Sequence, residues 1–422
     1  MIRRLLPAEP VERALSLATV TSSLSKGVFF TVSALYFTRV VGLPATTVGI
    51  GLTIAGACGV ATSFVGGRLS DVLGADRVQA AALAAQGVAL FAYLLAGGPV
   101  SFTLIACCAV GFSGLQGTSR AVLLARWFVG PQRVAVRARM RVLTNVSIGV
   151  GTCAAGLALV AGTADSYRLS MAIVGALTIS AALPLLRLRR DVPLLGRTLQ
   201  PDPVGPDDDN EVSRTHRRSP FTDRTYLISV GFNSVIAMQF GVQTVGVPLW
   251  VATRTSAPTA MISVLLLVNT VFVALFQVRA SRGTHDVAIA GRTVRRAGFT
   301  LAVSCLLYAA SASGGTVVAI VILLLAALAG ALAEVWAEAG GWGLAFELAD
   351  PGNVGAYQGL SQTGYSLAAM LAPAVVAATA IRHGTAGWAI LGATFVLAGC
   401  VVATVAGYAA ARRPEPELAL TG

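Results

Sequence analysis

The chain is 422 residues long, 55% hydrophobic and only 12% charged, with a formal charge of +12 at pH 7 and a mean hydropathy of +0.74. Soluble domains carry about a quarter charged residues and must expose much of their surface to water, so a soluble enzyme, a disordered scaffold and a fibrous protein do not fit. What remains is a helical protein that crosses the membrane many times.

A hydrocarbon core of ~30 Å takes about 20 apolar residues per helix, and that template predicts twelve spans. The charged start (Arg3, Arg4, Glu9, Glu12, Arg13, with Pro7 and Pro10) interrupts any signal-peptide core, so no cleavage is expected. The first span is placed at 14–39, and Gly42-Leu43-Pro44 breaks it from the second at 46–66. A basic loop leads to the third at 77–97, Gly97-Gly98-Pro99 to the fourth at 100–126, and the fifth and sixth follow at 142–162 and 168–187, split by Ala164-Asp165-Ser166. From Arg187 to Asp223 the chain is rich in Pro, Asp and Arg and reads as a flexible linker. Six more spans follow at 225–250, 259–279, 293–313, 315–340, 355–380 and 387–410, with Gly314-Gly315 between the ninth and tenth. A backbone in lipid must satisfy its own hydrogen bonds, so each span is a helix. The expected fold is therefore an all-α membrane protein of twelve transmembrane helices in two six-helix bundles, residues 1–187 and 224–422, joined by a cytoplasmic linker over 188–223.

Orientation follows from arginine placement. With both termini cytoplasmic, the outer loops hold only Arg39, Arg168, Arg254 and Arg382. Lys26 and Arg120 fall inside spans, and every other base sits in a cytoplasmic loop or at a cytoplasmic helix end, as the positive-inside rule requires. The same distribution assigns the +12 charge to topology, so no nucleic acid partner is expected. All six cysteines lie in apolar segments without a C-x-x-C spacing, and His216, His285 and His383 stand singly in loops, which implies neither a metal nor another cofactor. No G-x-x-x-x-G-K-[ST] loop is present to hold a nucleotide, and no nucleophile–base or metal constellation converges to suggest an enzyme.

The two halves read as a diverged repeat. One shift of the numbering sets Asn145 in the fifth span opposite Gln362 in the eleventh, Lys26 opposite Gln243, and Arg120 beside Glu338; it also superimposes the basic loops that hold Arg68 and His285. Two like bundles about a shared midplane site suit alternating access. Ionisable residues inside spans are costly and point to function. Lys26, the only lysine of the chain, lies about 18 Å along the first span at ~1.5 Å per residue, near the midplane. It reads as a site for an anionic group, a proton-coupling group, a partner for Glu334, or a structural lysine reaching a polar cavity. Glu334 and Glu338, four apart on the tenth span, share one helix face and read either as proton carriers or as gate carboxylates paired with Arg120 or a loop arginine.

The loop after the second span runs Gly67-Arg68-Leu69-Ser70-Asp71-Val72-Leu73-Gly74-Ala75-Asp76-Arg77. It resembles the loop 2–3 signature of the major facilitator superfamily, with Gly67, Leu69, Asp71 and Gly74 in register, Arg77 near the expected basic cluster, and Asp76 acidic where that family usually has a base. Gln116-Gly117 matches the R-x-x-Q-G pattern of the fourth span, with Ser113 in place of its arginine and Arg120 four residues later. Asn145, Gly149, Gly151 and Gly156 are similar to the glycine-rich helix of antiporters, without its Gly-Pro step. The run from Glu334 through Trp342, Glu347 and Tyr357 to Pro373 looks like bacterial members often labelled efflux transporters.

The resemblance implies that Asp71 locks an inner gate by meeting Arg77 or the N-terminus of a neighbouring helix. It also implies that spans one, four, seven and ten line the cavity, offering Phe29, Phe30, Tyr36, Gln116, Arg120, Asn233, Gln239 and Gln243 with Lys26 and the Glu pair. Asn145, Asn269, Gln358, Gln362 and Tyr365 would reach the cavity from adjacent helices. The function expected is that of a monomeric secondary active transporter in the cytoplasmic membrane, exporting a small organic substrate in exchange for protons. The alternatives are uptake or facilitated movement of an organic anion held by Lys26, and a non-transporting receptor on the same fold.

Overall fold

The computed structural model describes residues 7, 9–199 and 219–412. It contains the twelve long helices, and no strand occurs among the described residues. The first six are Pro10–Leu35, Ala45–Leu73, Ala75–Ala92, Pro99–Trp127, Pro131–Ala161 and Ala164–Ser180. The seventh, over Arg224–Arg254, is broken into pieces, and the rest are Met261–Ala280, Val287–Ala310, Thr316–Glu347, Val354–Val376 and Thr385–Ala411. Eleven are long and apolar enough to cross a membrane. The ninth, Val287–Ala310, is diluted by Arg292, Arg295 and Arg296, yet it packs along the tenth and twelfth as a full member of its bundle.

Three helices outgrow the apolar runs that predict them. The second continues through the signature to Leu73, so Gly67 to Leu73 are helical and the turn is Gly74 alone, at φ 93°. Glycine is needed there because a left-handed backbone is costly for any side chain with a Cβ. The fifth starts at Pro131, eleven residues before its apolar stretch, and the tenth ends at Glu347. Proline at the first helical position sets the start of the fifth helix. A 31-residue helix spans about 46 Å at ~1.5 Å per residue, more than the ~30 Å hydrocarbon core, so the charged extensions project beyond the lipid tails at one end. That arginine-rich end carries the turn at Gly74.

The seventh span runs as Arg224–Ala237, a short turn at Gln239–Gly241, a π-helical turn at Val242–Gly246, and Val247–Arg254. Similar π turns close the first span at Tyr36–Val40 and the eleventh at Ala377–Ile381, the latter just after Pro373. Breaks of this kind free backbone groups and recur near binding sites.

Each half has its own apolar core. In the C-terminal half Trp250 meets Trp388 edge-to-face and Tyr308 packs tilted on Trp388, with Trp250 Nε1 donating to the Tyr308 carbonyl at 2.7 Å. In the N-terminal half one cluster gathers Tyr36, Phe37, Tyr93 and Phe102, and a second, at the arginine-rich end, gathers Leu15, Val122, Leu123 and Leu124. The start of the expected linker belongs to this second cluster. Helices Leu183–Asp191 and Leu195–Leu199 bury Leu185, Leu188, Leu195 and Leu199 in it. Arg189 anchors them with two hydrogen bonds to Asp76, at 2.5 and 2.9 Å. Residues 200–218 of the linker lie outside the described residues.

Spans two and eleven, and five and eight, meet across the two bundles. Within the first bundle, spans one and five cross at Gly27 and Gly151. A Cβ at Gly151 would run into the Leu24 carbonyl oxygen, whereas Gly149, two residues away, has open space. Membrane helices associate by such close approaches of small residues. Gly151→Ala is therefore expected to cost about 1–3 kcal/mol through overpacking and to lower the thermal midpoint of the detergent-solubilised protein by several degrees. Gly149→Ala is expected to leave it unchanged. Thermal denaturation followed by size-exclusion chromatography checks both.

Candidate functional site

The extension of the fifth span carries Arg133, Arg137 and Arg141 four residues apart, hence on one face. That face meets the inner part of the tenth span from the other bundle. At the helix ends Arg133 Nη1 lies 3.3 Å from Glu347 Oε1, and its guanidinium stands 5.7 Å from the Phe346 ring centre. One turn deeper the Arg137 guanidinium stacks 5.3 Å over Trp342. Deepest, Arg141 Nη2 donates to Glu334 Oε1 at 2.6 Å while its guanidinium packs 5.0 Å from Phe240. The two helices run antiparallel, so the three arginines form a ladder from the arginine-rich end toward the middle of the molecule.

Glu334 is 1% exposed. Its second oxygen accepts from Gln243 Nε2 at 2.9 Å and Asn269 Nδ2 at 3.1 Å. The break in the seventh span presents Gln243, and the eighth span presents Asn269. A buried carboxylate is tolerable when its charge is paired and its lone pairs are filled, and here three donors from three helices do both. Glu338, one turn along, makes no ion pair among the described residues. It faces the charges of Arg137 and Arg141 and lines a cavity of about 80 Å³ with Asn233, Gln239, Trp342 and Tyr365. That volume admits several water molecules.

Cations outnumber acids in this region. Arg120 on the fourth span has no carboxylate partner among the described residues and lies within electrostatic reach of Arg137, Arg141 and Lys26. Arg120 Nε, Arg137 Nη1 and Arg141 Nε are buried donors without an acceptor among the described residues. Lys26 is half-buried and makes no ion pair among the described residues. The arrangement corrects two sequence expectations. Lys26 is not the partner of Glu334, and Arg120 pairs with neither Glu334 nor Glu338; the other alternative, an arginine outside the predicted spans, holds for Glu334, and it is Arg141, carried on a fifth helix that starts at Pro131. Asn145, one turn beyond Arg141, is half-buried, and Gln362 lies against Gly117 of the fourth span.

The signature builds a second contact between the bundles. Asp71 Oδ1 accepts from Arg126 Nη2 at 2.5 Å and from the Gly355 N–H, at the start of the eleventh span, at 3.2 Å. The positive end of that helix favours a carboxylate. Gly67 and Gly355 are required by closeness alone. A Cβ on Gly67 would strike the Gly355 carbonyl, and one on Gly355 would strike the Asp71 carboxylate. Arg77 does not meet Asp71. It is exposed on the far side of the Gly74 turn, while Arg126 arrives from the fourth span. Asp76, the departure from the family pattern, is 2% exposed and serves Arg189. Ser63 and Ser366 add a contact of 3.1 Å between bundles, and Phe346 and Val354 of the second half pack into the apolar cluster of the first. The arginine-rich end is thus closed by ion pairs, a helix terminus and apolar side chains.

A family model, the Major Facilitator Superfamily, matches residues 15–373. No curated protein matches the chain. Among solved structures, the human organic anion transporter MFSD10 (TETRAN) aligns at TM-score 0.67 and 14% identity over 94% of this chain and 100% of its own. A bacterial homologue of the iron transporter ferroportin, in an outward-facing state, aligns at 0.68 and 15% over 95% and 100%. The proton:xylose symporter XylE, bound to 6-bromo-6-deoxy-D-glucose, aligns at 0.61 and 15% over 96% and 95%. Such identities establish a shared fold and leave the solute open. With twelve helices in two bundles, the Gly67–Asp71–Gly74 signature at the end of the second span seated on the eleventh, and a family match over most of its length, the chain belongs to the major facilitator superfamily.

Proposed function

We propose that this protein is a proton-coupled secondary transporter of a small organic anion, working by alternating access in the cytoplasmic membrane with both termini in the cytoplasm. The moving bodies are residues 1–187 and 224–422, with residues 188–199 of the intervening 188–223 packed on the first body. One observation carries the reading: the Arg141–Glu334 pair joins the two bundles inside a region where Lys26, Arg120 and Arg137 add three more cations and Glu338 only one more acid. An unneutralised excess of buried cations is costly, and an anionic solute supplies the missing charge. Guanidinium forks suit carboxylate, sulfonate or phosphate groups. A human organic anion transporter among the structures of like fold agrees with this solute class.

The sign of coupling follows from the same pair. While Glu334 is ionised it occupies Arg141. A proton on Glu334 removes that attraction and leaves Arg141 to an anion, so proton and anion raise each other's affinity. Ligands that bind together travel together, which gives symport and favours uptake down a proton gradient. Export in exchange for protons needs a solute and a proton that displace each other, and this pair acts in the opposite sense. Cycling then requires the closed arginine-rich end to open, with the Arg133–Glu347, Arg141–Glu334 and Asp71–Gly355 contacts released.

In proteoliposomes containing the protein, an acid-outside gradient is expected to drive uptake from a panel of labelled carboxylates and sulfonates. Glu334→Gln is expected to abolish accumulation driven by the gradient while downhill movement of the anion persists. Arg141→Gln is expected to lower the rate about 100-fold, the effect of losing a buried charge partner worth roughly 3 kcal/mol, and Lys26→Gln to weaken the anion about 10-fold. Unchanged coupling in Glu334→Gln removes that residue from proton transfer, and unchanged affinity in Lys26→Gln makes Lys26 structural.

Gating has its own check. Cysteines replacing Arg133 and Glu347 are expected to crosslink, to block transport when joined, and to restore it on reduction. Full transport in the crosslinked protein would remove this end of the ladder from the gate.

A further inference from the structure

The three arginines of the ninth span have no part in the cavity. Arg292, Arg295 and Arg296 are all exposed. At helical spacing they share a face with Phe299, Val303 and Leu306, which are 51%, 51% and 53% exposed. Those three apolar side chains mark the lipid-facing side of a membrane helix, so the guanidiniums point the same way. None of the three arginines makes an ion pair among the described residues. Nearby acids are engaged elsewhere: Asp286 caps the start of the helix, accepting from the Ile289 N–H at 2.7 Å, and Glu334 faces the interior.

Arg295 and Arg296 overlook a groove between the ninth, tenth and twelfth spans, completed by Phe299, Thr300, Trp336 and Cys400. Arg296 lies about 21 Å along the helix axis from Ala310 at ~1.5 Å per residue, against a hydrocarbon core of ~30 Å. Its long side chain covers the remaining distance to the headgroup level, where tryptophan also prefers to sit. The groove therefore offers two phosphate-binding forks above an apolar floor.

We propose that this groove is a binding site for an anionic phospholipid, its phosphodiester held by Arg295 and Arg296 with Arg292 adding charge, and an acyl chain lying along Phe299, Val303 and Leu306. Charge complementarity selects the lipid class. Three cations with no acid paired to them among the described residues accept a phosphatidylglycerol or cardiolipin headgroup, and offer no paired carboxylate for the ammonium of a zwitterionic one. The site is independent of the transported solute, because it lies on the outer surface of the second bundle.

Native mass spectrometry of the full chain, released from micelles doped with equal phosphatidylglycerol and phosphatidylcholine, tests the assignment. The wild-type protein is expected to retain phosphatidylglycerol at collision energies that strip phosphatidylcholine. The Arg295→Gln/Arg296→Gln double variant is expected to lose that retention about 30-fold, and the Arg295→Lys/Arg296→Lys variant to keep most of it. Equal retention of the two lipids by the wild type, undiminished phosphatidylglycerol on the Gln variant, or displacement of the lipid by millimolar inorganic phosphate overturns it. Should the Gln variant fail to insert, the wild-type comparison of the two lipids still decides.

Discussion

Glu334 is a carboxylate in the interior of a membrane protein, and the arrangement around it follows from that expense. At 1% exposure it lies out of reach of bulk solvent, so its charge must be met by protein donors. The Arg141 guanidinium comes from the opposite bundle, Gln243 from the broken seventh span, and Asn269 from the eighth. A single acid thereby ties together side chains from both six-helix bodies. The break at Val242–Gly246 acquires a purpose in this setting, since it turns Gln243 toward the acid. Removing either partner of a buried ion pair leaves the other uncompensated, a penalty of about 3–5 kcal/mol, which is large enough to select between conformations.

The closed end works by different means at each level. At the helix ends, Arg133 and Glu347 form a half-buried pair. The Asp71 carboxylate has a stronger position, because Arg126 and a helix N-terminus both address it. Glycines at 67 and 355 allow that approach, so the signature is a packing requirement as much as an electrostatic one. Apolar contacts of Phe346 and Val354 seal the same end. Under the proposed cycle this end must close firmly and still open, and many modest contacts across an interface suit that.

Most of the fold was legible in the sequence, for a simple reason. The bilayer imposes a length of about 20 residues on every span and forbids unpaired backbone, so apolar runs map directly onto helices. Helix ends were less legible. Hydropathy placed the start of the fifth span at 142, where side chains become apolar, whereas the helix begins at Pro131. By hydropathy the arginines in between read as loop charges, which hides the helical face that Arg137 and Arg141 share. Their burial comes from the tenth span, almost two hundred residues away, which no local window contains. A signal was nonetheless present: arginines at 133, 137 and 141 after a helix-starting proline make a helical stripe, and Glu334, Glu338 and Trp342 make a matching one. Lys26 drew notice as the sole lysine, but its surroundings of like charge depended on Arg120 and on the fold. Of the two partners the signature implies for Asp71, the N-terminus of a neighbouring helix is the one present, at Gly355, while Arg77 lies exposed beyond the single-residue turn at Gly74.

The solute, the direction of movement and the coupling all converge on whether protonation of Glu334 and occupancy of the cationic region favour one another. The most direct measurement is calorimetric binding of the best-transported anion in two buffers of different ionisation enthalpy, which counts protons exchanged on binding. Net uptake of about one proton per anion is the predicted result for the wild-type protein, with uptake lost in Glu334→Gln. Release of a proton on binding, or an uptake that Glu334→Gln leaves intact, would contradict the linkage.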